Sequence, residues 1–280
     1  MSSLCLHRRA GDDAMTYEFD EDARNAAAKY PVTVDAIGWL GRLCRTKAKE
    51  LSPAGVRGHT TAFVPATWEN AVSLPNSLRR SGKISRGDAL DIAERVRDGG
   101  LSATELFVGS FVWGWGTTGY GPSRLRAIVD SAGDRLEPSL QRALAAALSE
   151  SDAPDPIAGY AQLYGGYLSN ESDKRAAPGA AEWARLRGYG PAFFTKLLYF
   201  AVPGALILDN RLANAVLELS GLPNLVTADG RSWPWTPYRY AVYLHWMRQT
   251  ADAVGAEPDV LELTLFQPPG DIADEHDAAD

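Results

Sequence analysis

The sequence predicts an all-α protein. Apolar residues recur at helical spacing through most of the chain, glycine and proline cut that pattern into helix-length segments, and sustained strand-type alternation is nearly absent. Taken in order, the first helix runs from Val34 to Leu51 and stops at Ser52-Pro53. Residues 55–76, with Pro65 and Pro75, read as irregular, with room for a small ribbon near 55–72. Ser85-Arg86-Gly87-Asp88 is a capping box, in which hydroxyl and carboxylate each satisfy a free N–H, and it opens a helix that ends at Gly99-Gly100. A short apolar helix follows from Ser102 to Trp113, and then a glycine-rich loop from Trp113 to Pro122. Further helices are expected over 122–131, 137–149, 156–168, 179–186, 191–202, 209–220, 237–254 and 258–266.

Composition narrows the class. With 280 residues, 45% hydrophobic and 22% charged, the chain can bury a sizeable core as one large domain or two small ones. No apolar run is long enough to span a membrane, and Met1 to Arg9 lacks the apolar core of a signal peptide, so a cytoplasmic protein is expected. Cys5 and Cys44 have no metal-ligand or disulfide spacing and read as free thiols. The histidines, His7, His59, His245 and His276, are too dispersed for a metal site, and no cofactor is expected. The net charge of −7 is concentrated at the ends: residues 1–22 carry −4 and residues 271–280 carry −5, which leaves +2 on the span between. Both ends, 1–22 and 269–280, read as solvated, disordered acidic segments.

The stretch RLRGYGPAFFTKLLYFAVPGALILDNRLANAV, residues 185–216, holds an anomaly. Lys196, one of only six lysines, stands among Phe193, Phe194, Leu197, Leu198, Tyr199 and Phe200, and Asp209 ends the run Ala205-Leu206-Ile207-Leu208. Charges are rarely buried without partners. The preceding Gly188-Tyr189-Gly190 turn permits positive φ and close backbone approach, and Pro191 suits the first position of the helix that follows. That helix start offers free N–H groups and a positive dipole end, a phosphate site in principle. On its own the turn reads first as a plain corner between helices.

Here the chain resembles the helix-hairpin-helix DNA glycosylases, the superfamily of endonuclease III and 8-oxoguanine glycosylase. Leu186-Arg187-Gly188-Tyr189-Gly190 is similar to that family's Leu-Pro-Gly-x-Gly hairpin, an apolar helix follows, and Asp209 sits near the family's spacing for its catalytic aspartate. Arg211 takes the position of a phosphate-facing His or Arg, and Thr195 to Ala201 looks like the lysine-bearing helix of the archaeal branch. The resemblance covers about 35 residues. It implies two helical lobes with a cleft between them: a central lobe over 100–203 ending in the hairpin, and a discontinuous lobe of 23–99 with 204–268. It also implies a monomer that binds double-stranded DNA through Arg187, Gly188, Tyr189, Gly190 and Arg211. The implied activity is hydrolysis of the N-glycosidic bond of a flipped modified base, in base-excision repair or in attack on modified phage DNA. Lacking a four-cysteine run, the chain falls outside the iron–sulfur branch.

One departure matters. The bifunctional members place their lysine two residues after the second hairpin glycine, and that position here is Ala192. Lys196 lies one helical turn further on, on the same face. Two readings of it stand: an amine nucleophile that forms a Schiff base and gives AP-lyase activity, or a structural lysine paired with a carboxylate while water attacks. Asp209 likewise reads as the carboxylate that stabilises a cationic sugar, as a helix N-cap, or as both. A flipped base needs an aromatic pocket, and the candidates are Trp113, Trp115 and Tyr120 in the glycine-rich loop together with Trp233, Trp235 and Tyr238 before the penultimate helix. Trp39, Trp68, Trp183 and Trp246 read as core packing. The cluster Arg79, Arg80, Lys83 and Arg86 reads as a solvated basic loop, so the arginines about the hairpin are the better phosphate contacts. The rival readings are a non-catalytic helix-hairpin-helix DNA-binding protein, in which Asp209 is only a cap, and an all-α interaction protein that does not bind DNA.

Overall fold

A computed structural model describes residues 19–117, 119–149, 153–169, 174–226 and 234–267. Most of the 1–22 segment, the tail 269–280 and Trp233 lie outside the described residues. The element order is α1 (Asp20–Ala28), α2 (Val34–Leu51), β1 (Thr60–Ala62), α3 (Pro65–Glu69), β2 (Lys83–Ser85), α4 (Arg86–Arg97), α5 (Ala103–Trp115), α6 (Tyr120–Ala132), α7 (Leu136–Ala147), α8 (Pro156–Tyr164), α9 (Pro191–Ala201), α10 (Asn210–Ser220), α11 (Pro237–Val254) and α12 (Pro258–Phe266). The all-α expectation holds, with two helical lobes.

One group of helices has α5 packed on α6, α7 and α9, with α7 and α9 both packed on α8. Its centre is apolar, with Phe107, Phe111, Tyr160 and Phe194 almost wholly out of water. Each such burial contributes roughly 1.5–3 kcal/mol. In a second group α1 and α2 pack on α11, and α12 packs on α2, α10 and α11 around Leu40, Tyr240, Trp246 and Leu261; α8 of the first group also packs on α11. Helix α4 lies against both α5 and α9.

Local signals explain most helix starts. The Ser85–Asp88 capping box opens α4 as expected, and a second one, Ser102–Glu105, opens α5. The start of α5 is also tied to α7, because the Glu137 carboxylate accepts from the N–H groups of Ala103 (3.0 Å) and Thr104 (2.7 Å). Asp155 caps α8 by accepting from Ile157 and Ala158.

Four expectations need correction. The glycine-rich loop from Trp113 to Pro122 is mostly helix: α5 continues through Trp115 and α6 already begins at Tyr120. Gly114 is not a breaker there. A Cβ on it would lie 2.8 Å from Cδ of Lys196 and 3.1 Å from the Phe193 ring, so this glycine lets α5 press against α9. No helix forms over 179–186. That stretch instead turns back on itself, with Gly179 N–H donating to Arg185 O and Ala184 N–H to Gln162 O. The ribbon exists, but only its first strand lies near 55–72, with Thr60 opposite Ser85 and Ala62 opposite Lys83. Finally, α1 begins inside the acidic N-terminal stretch; Asp20 there meets His245 of α11 at 2.9 Å, and that hydrogen bond holds its carboxyl below the usual value.

Candidate active site

The hairpin and two charged side chains meet where α9 and α10 begin. At the turn, Gly188 has φ +81°, a left-handed conformation that a side chain would strain. Its carbonyl accepts from the Arg124 guanidinium at 2.9 Å, which ties the turn to α6. Arg187 and Gly188 are exposed, and Gly190 is half-buried. Tyr189 departs from expectation. Its ring is buried edge-on to Phe107 and Phe194, and its hydroxyl donates to Phe193 O at 3.0 Å, so only its backbone faces the turn.

Pro191 occupies the first turn of α9, and Lys196 follows one turn later. Side chains on a helix lean toward its N-terminus. The Lys196 stem follows that lean over Gly114, and its Nζ returns to the Ala192 carbonyl at 3.2 Å. The amine therefore sits beside Ala192, although its Cα is four residues away. Only 7% of Lys196 is exposed. Its second partner is Asp209 Oδ2, at 3.3 Å. The two charges singled out in the sequence are thus each other's partners.

Asp209 divides its two oxygens between two tasks. Oδ1 caps α10, accepting from the N–H groups of Arg211 (3.1 Å) and Leu212 (3.2 Å), and Oδ2 faces the ammonium. Capping and pairing with lysine therefore do not compete. The Arg211 guanidinium is exposed and lies over the Phe266 ring, 5.3 Å from its centroid.

The segment leading to Asp209 belongs to no sheet, yet side chains pair its backbone. The Tyr240 hydroxyl donates to Leu206 O (2.8 Å), and Ile207 N–H donates to Glu262 Oε2 (3.0 Å). Tyr243 donates to Ile207 O, and the Thr195 hydroxyl meets both N–H and C=O of Leu208 (3.1 and 3.2 Å). A buried backbone group without a partner costs about 1–3 kcal/mol, so these four residues define the path of the chain into Asp209.

The aromatic candidates separate. Trp115 is half-buried and stacks on Phe193 (5.4 Å, 11°), which stacks on Phe111 (4.2 Å, 20°). Tyr120, 61% exposed, stands edge-on to Trp115, and Lys196 Nζ is 5.3 Å from the Phe193 ring centre. Trp115, Tyr120 and Phe193 therefore form one aromatic face beside the lysine. Trp113 and Trp235 are corrected to core residues, at 5% and 3% exposure. Trp113 packs edge-on to Phe200 and His59, and Trp235 donates its indole N–H to Leu225 O at 2.7 Å. Trp39, expected in the core, is 44% exposed.

Arg86, part of the basic cluster that reads as a solvated loop, is instead 1% exposed. It donates to Glu262 (2.8 Å) and to the Tyr199 hydroxyl (2.9 Å), and its guanidinium lies 5.2 Å from the Trp113 ring centre. Burial works against its charge, but the Glu262 carboxylate and Tyr199 outweigh burial and hold Arg86 above its ordinary value. Burial pushes the Glu262 carboxyl up, while Arg86 and the Ile207 N–H pull it back. Glu262 carried a signal that sequence reading passed over: like Lys196, it is a lone charge in an apolar run, Val260-Leu-Glu-Leu-Thr-Leu265. Among the described residues no group of three or more His, Cys, Asp or Glu could hold a metal ion, and no helix is long and apolar enough to cross a membrane.

Over residues 54–266 the chain matches the family model described as "Putative 8-oxoguanine DNA glycosylase OGG-like protein". No curated protein and no solved structure matches it.

Proposed function

The chain belongs to the 8-oxoguanine DNA glycosylase OGG-like family, and from that premise we propose that it is a DNA glycosylase that breaks the N-glycosidic bond of a flipped modified base in double-stranded DNA. The observation that carries this reading is the contact between Lys196 Nζ and Asp209 Oδ2 at 3.3 Å, one turn into the helix that follows the Gly-Tyr-Gly hairpin. Exposed Arg187 and Arg211, with the backbone of Gly188 and Gly190, would hold phosphates on either side of the flipped nucleotide. Trp115, Tyr120 and Phe193 would offer the extruded base a flat aromatic face.

Breaking the bond leaves positive charge on the deoxyribose as the base departs with the bonding electrons. Asp209 Oδ2 supplies the compensating negative charge, and it is fixed in place because Oδ1 is committed to the cap. Two routes use the same pair. In one, Lys196 stays an ammonium that positions Asp209, and a water molecule attacks the sugar, leaving an abasic site. In the other, Lys196 passes a proton to Asp209 and its free amine bonds to C1′ as the bond to the base breaks; the proton on Asp209 then goes to the departing base, loss of the amine proton and opening of the C1′–O4′ bond give a Schiff base, and β-elimination of the 3′-phosphate nicks the strand. The Lys196 amine donates to Ala192 O, at the position where the bifunctional members carry their lysine, and this supports keeping the second route. The biological setting is repair of damaged DNA or attack on modified phage DNA.

The test is release of free base from duplexes carrying oxidised purines, alkylated bases and bulky modified pyrimidines, with products followed before and after alkaline treatment. Release by the wild type that is lost in Asp209→Asn supports the enzyme. Salt-dependent DNA binding without release of any base supports the non-catalytic DNA-binding protein instead.

A further inference from the structure

We propose that Arg86 is a positioning residue for the Lys196–Asp209 pair, acting through Tyr199 on one side and Glu262 on the other. The proposal rests on the reading of that pair as the reacting groups, but the observations behind it are separate. Arg86 is the first residue of α4, and its two terminal nitrogens point to different elements. Nη1 donates to the hydroxyl of Tyr199, three residues after Lys196 on α9. Nη2 donates to Oε1 of Glu262, whose other oxygen, Oε2, accepts from Ile207 N–H, two residues before Asp209. One rigid guanidinium therefore links the helix that carries the amine to the segment that carries the carboxylate.

The ion pair at the centre of the link is buried, and Tyr199 is half-buried. Arg86 and Glu262 are each 1% exposed, and Trp113 and Tyr199 lie against the guanidinium, 5.2 and 4.9 Å from ring centre to Cζ. An ion pair this dry is weak evidence for stability, because apolar side chains of similar volume often serve as well. What apolar residues cannot supply is direction. The guanidinium is planar and its donors are fixed in angle, so a shift of Tyr199 relative to Glu262 breaks one of the two bonds. Lysine keeps the charge but loses the second directed arm. The pair thus has a geometric task at this place: it sets how far Lys196 stands from Asp209.

The experiment compares wild type with Arg86→Lys, Glu262→Gln, Tyr199→Phe and the double variant Arg86→Met/Glu262→Met. Single-turnover base release, affinity for uncleaved duplex and folded fraction are measured for each. Displacement of reacting groups by about an ångström costs on the order of a hundredfold in rate. Arg86→Lys and Glu262→Gln are therefore expected to lose at least about tenfold in single-turnover rate with duplex affinity within about twofold, and Arg86→Lys is not expected to rescue. Tyr199→Phe, which removes one arm, loses less. A purely structural role predicts the opposite: rate per folded molecule unchanged in all four variants. That result overturns the proposal, as does full rescue by Arg86→Lys.

Should the wild type release no base from any duplex, the glycosylase reading fails and the geometry is read directly. A crystal structure of the double variant with Lys196 and Asp209 parted beyond about 4 Å, the limit of an ion pair, sustains the positioning role. A structure with the 3.3 Å separation intact refutes it.

Discussion

Acidification should destabilise this protein through one particular histidine. His59 lies between Trp113 and Phe266, with Nε2 3.2 Å from the Gln267 amide and Nδ1 without a hydrogen-bond partner among the described residues. Burial, and then the positive charges of Arg86 and Lys47, bring its value down from 6.5 to about 4. The sign follows from which state takes the proton. Below pH 6.5 the unfolded chain binds a proton that the folded protein refuses, so stability is fully present above 6.5 and is lost as pH falls toward 4. At 1.36 kcal/mol per unit, that interval corresponds to at most about 3 kcal/mol. Urea unfolding at several pH values between 7 and 4, comparing wild type with His59→Gln, isolates the effect because other titrating groups cancel in the difference. The wild type should lose about 2–3 kcal/mol more than the variant across this window. Parallel curves would mean that His59 titrates normally, and would refute both its burial and the nearby charge of Arg86.

Three further outcomes follow from the site. Gly114→Ala places a methyl group 2.8 Å from Lys196 Cδ; overpacking of this kind costs about 1–3 kcal/mol, and both the melting temperature and the rate of base release should fall. Asp209→Asn keeps an acceptor for the cap, whereas Asp209→Ala loses it and about 1 kcal/mol with it, so thermal melts should separate the two variants while base release is lost in both. Arg211→Ala should weaken binding to all duplexes alike and lower the salt-dependence slope by about 1, measured by fluorescence anisotropy from low to high salt.

Much of the fold could be read from caps and period. The bounds of α2, α11 and α12 agree with the sequence reading to the residue, because Ser52-Pro53, Pro237 and Pro258 punctuate them unambiguously. The failures share a cause, which is tertiary packing acting on residues whose local meaning is ambiguous. Glycine at 114 reads as a break, but it lies inside α5 because the Lys196 stem needs the space. The acidic run that suggested a solvated end supplies the first turn of α1, where Asp20 finds His245 225 residues away. Lys196 and Asp209 were legible because a charge in an apolar run demands a partner, and here the two demands answer each other. Glu262 raised the same demand; its answer, Arg86, sat in a cluster of basic residues that looked like surface. Trp113 and Trp235 stood beside glycine and proline, which suggested loops, while their indoles are closed into the core.

In the proposed reaction the Asp209 carboxylate, held against Lys196, does chemistry on a flipped nucleotide. Single-turnover release of base from one duplex that the wild type cleaves, repeated with Asp209→Asn at matched DNA occupancy, tests it most directly. The expected result is a loss on the order of a hundredfold or more, with duplex affinity and folded fraction preserved. Release by Asp209→Asn at the wild-type rate would contradict it and leave Asp209 as a helix cap alone.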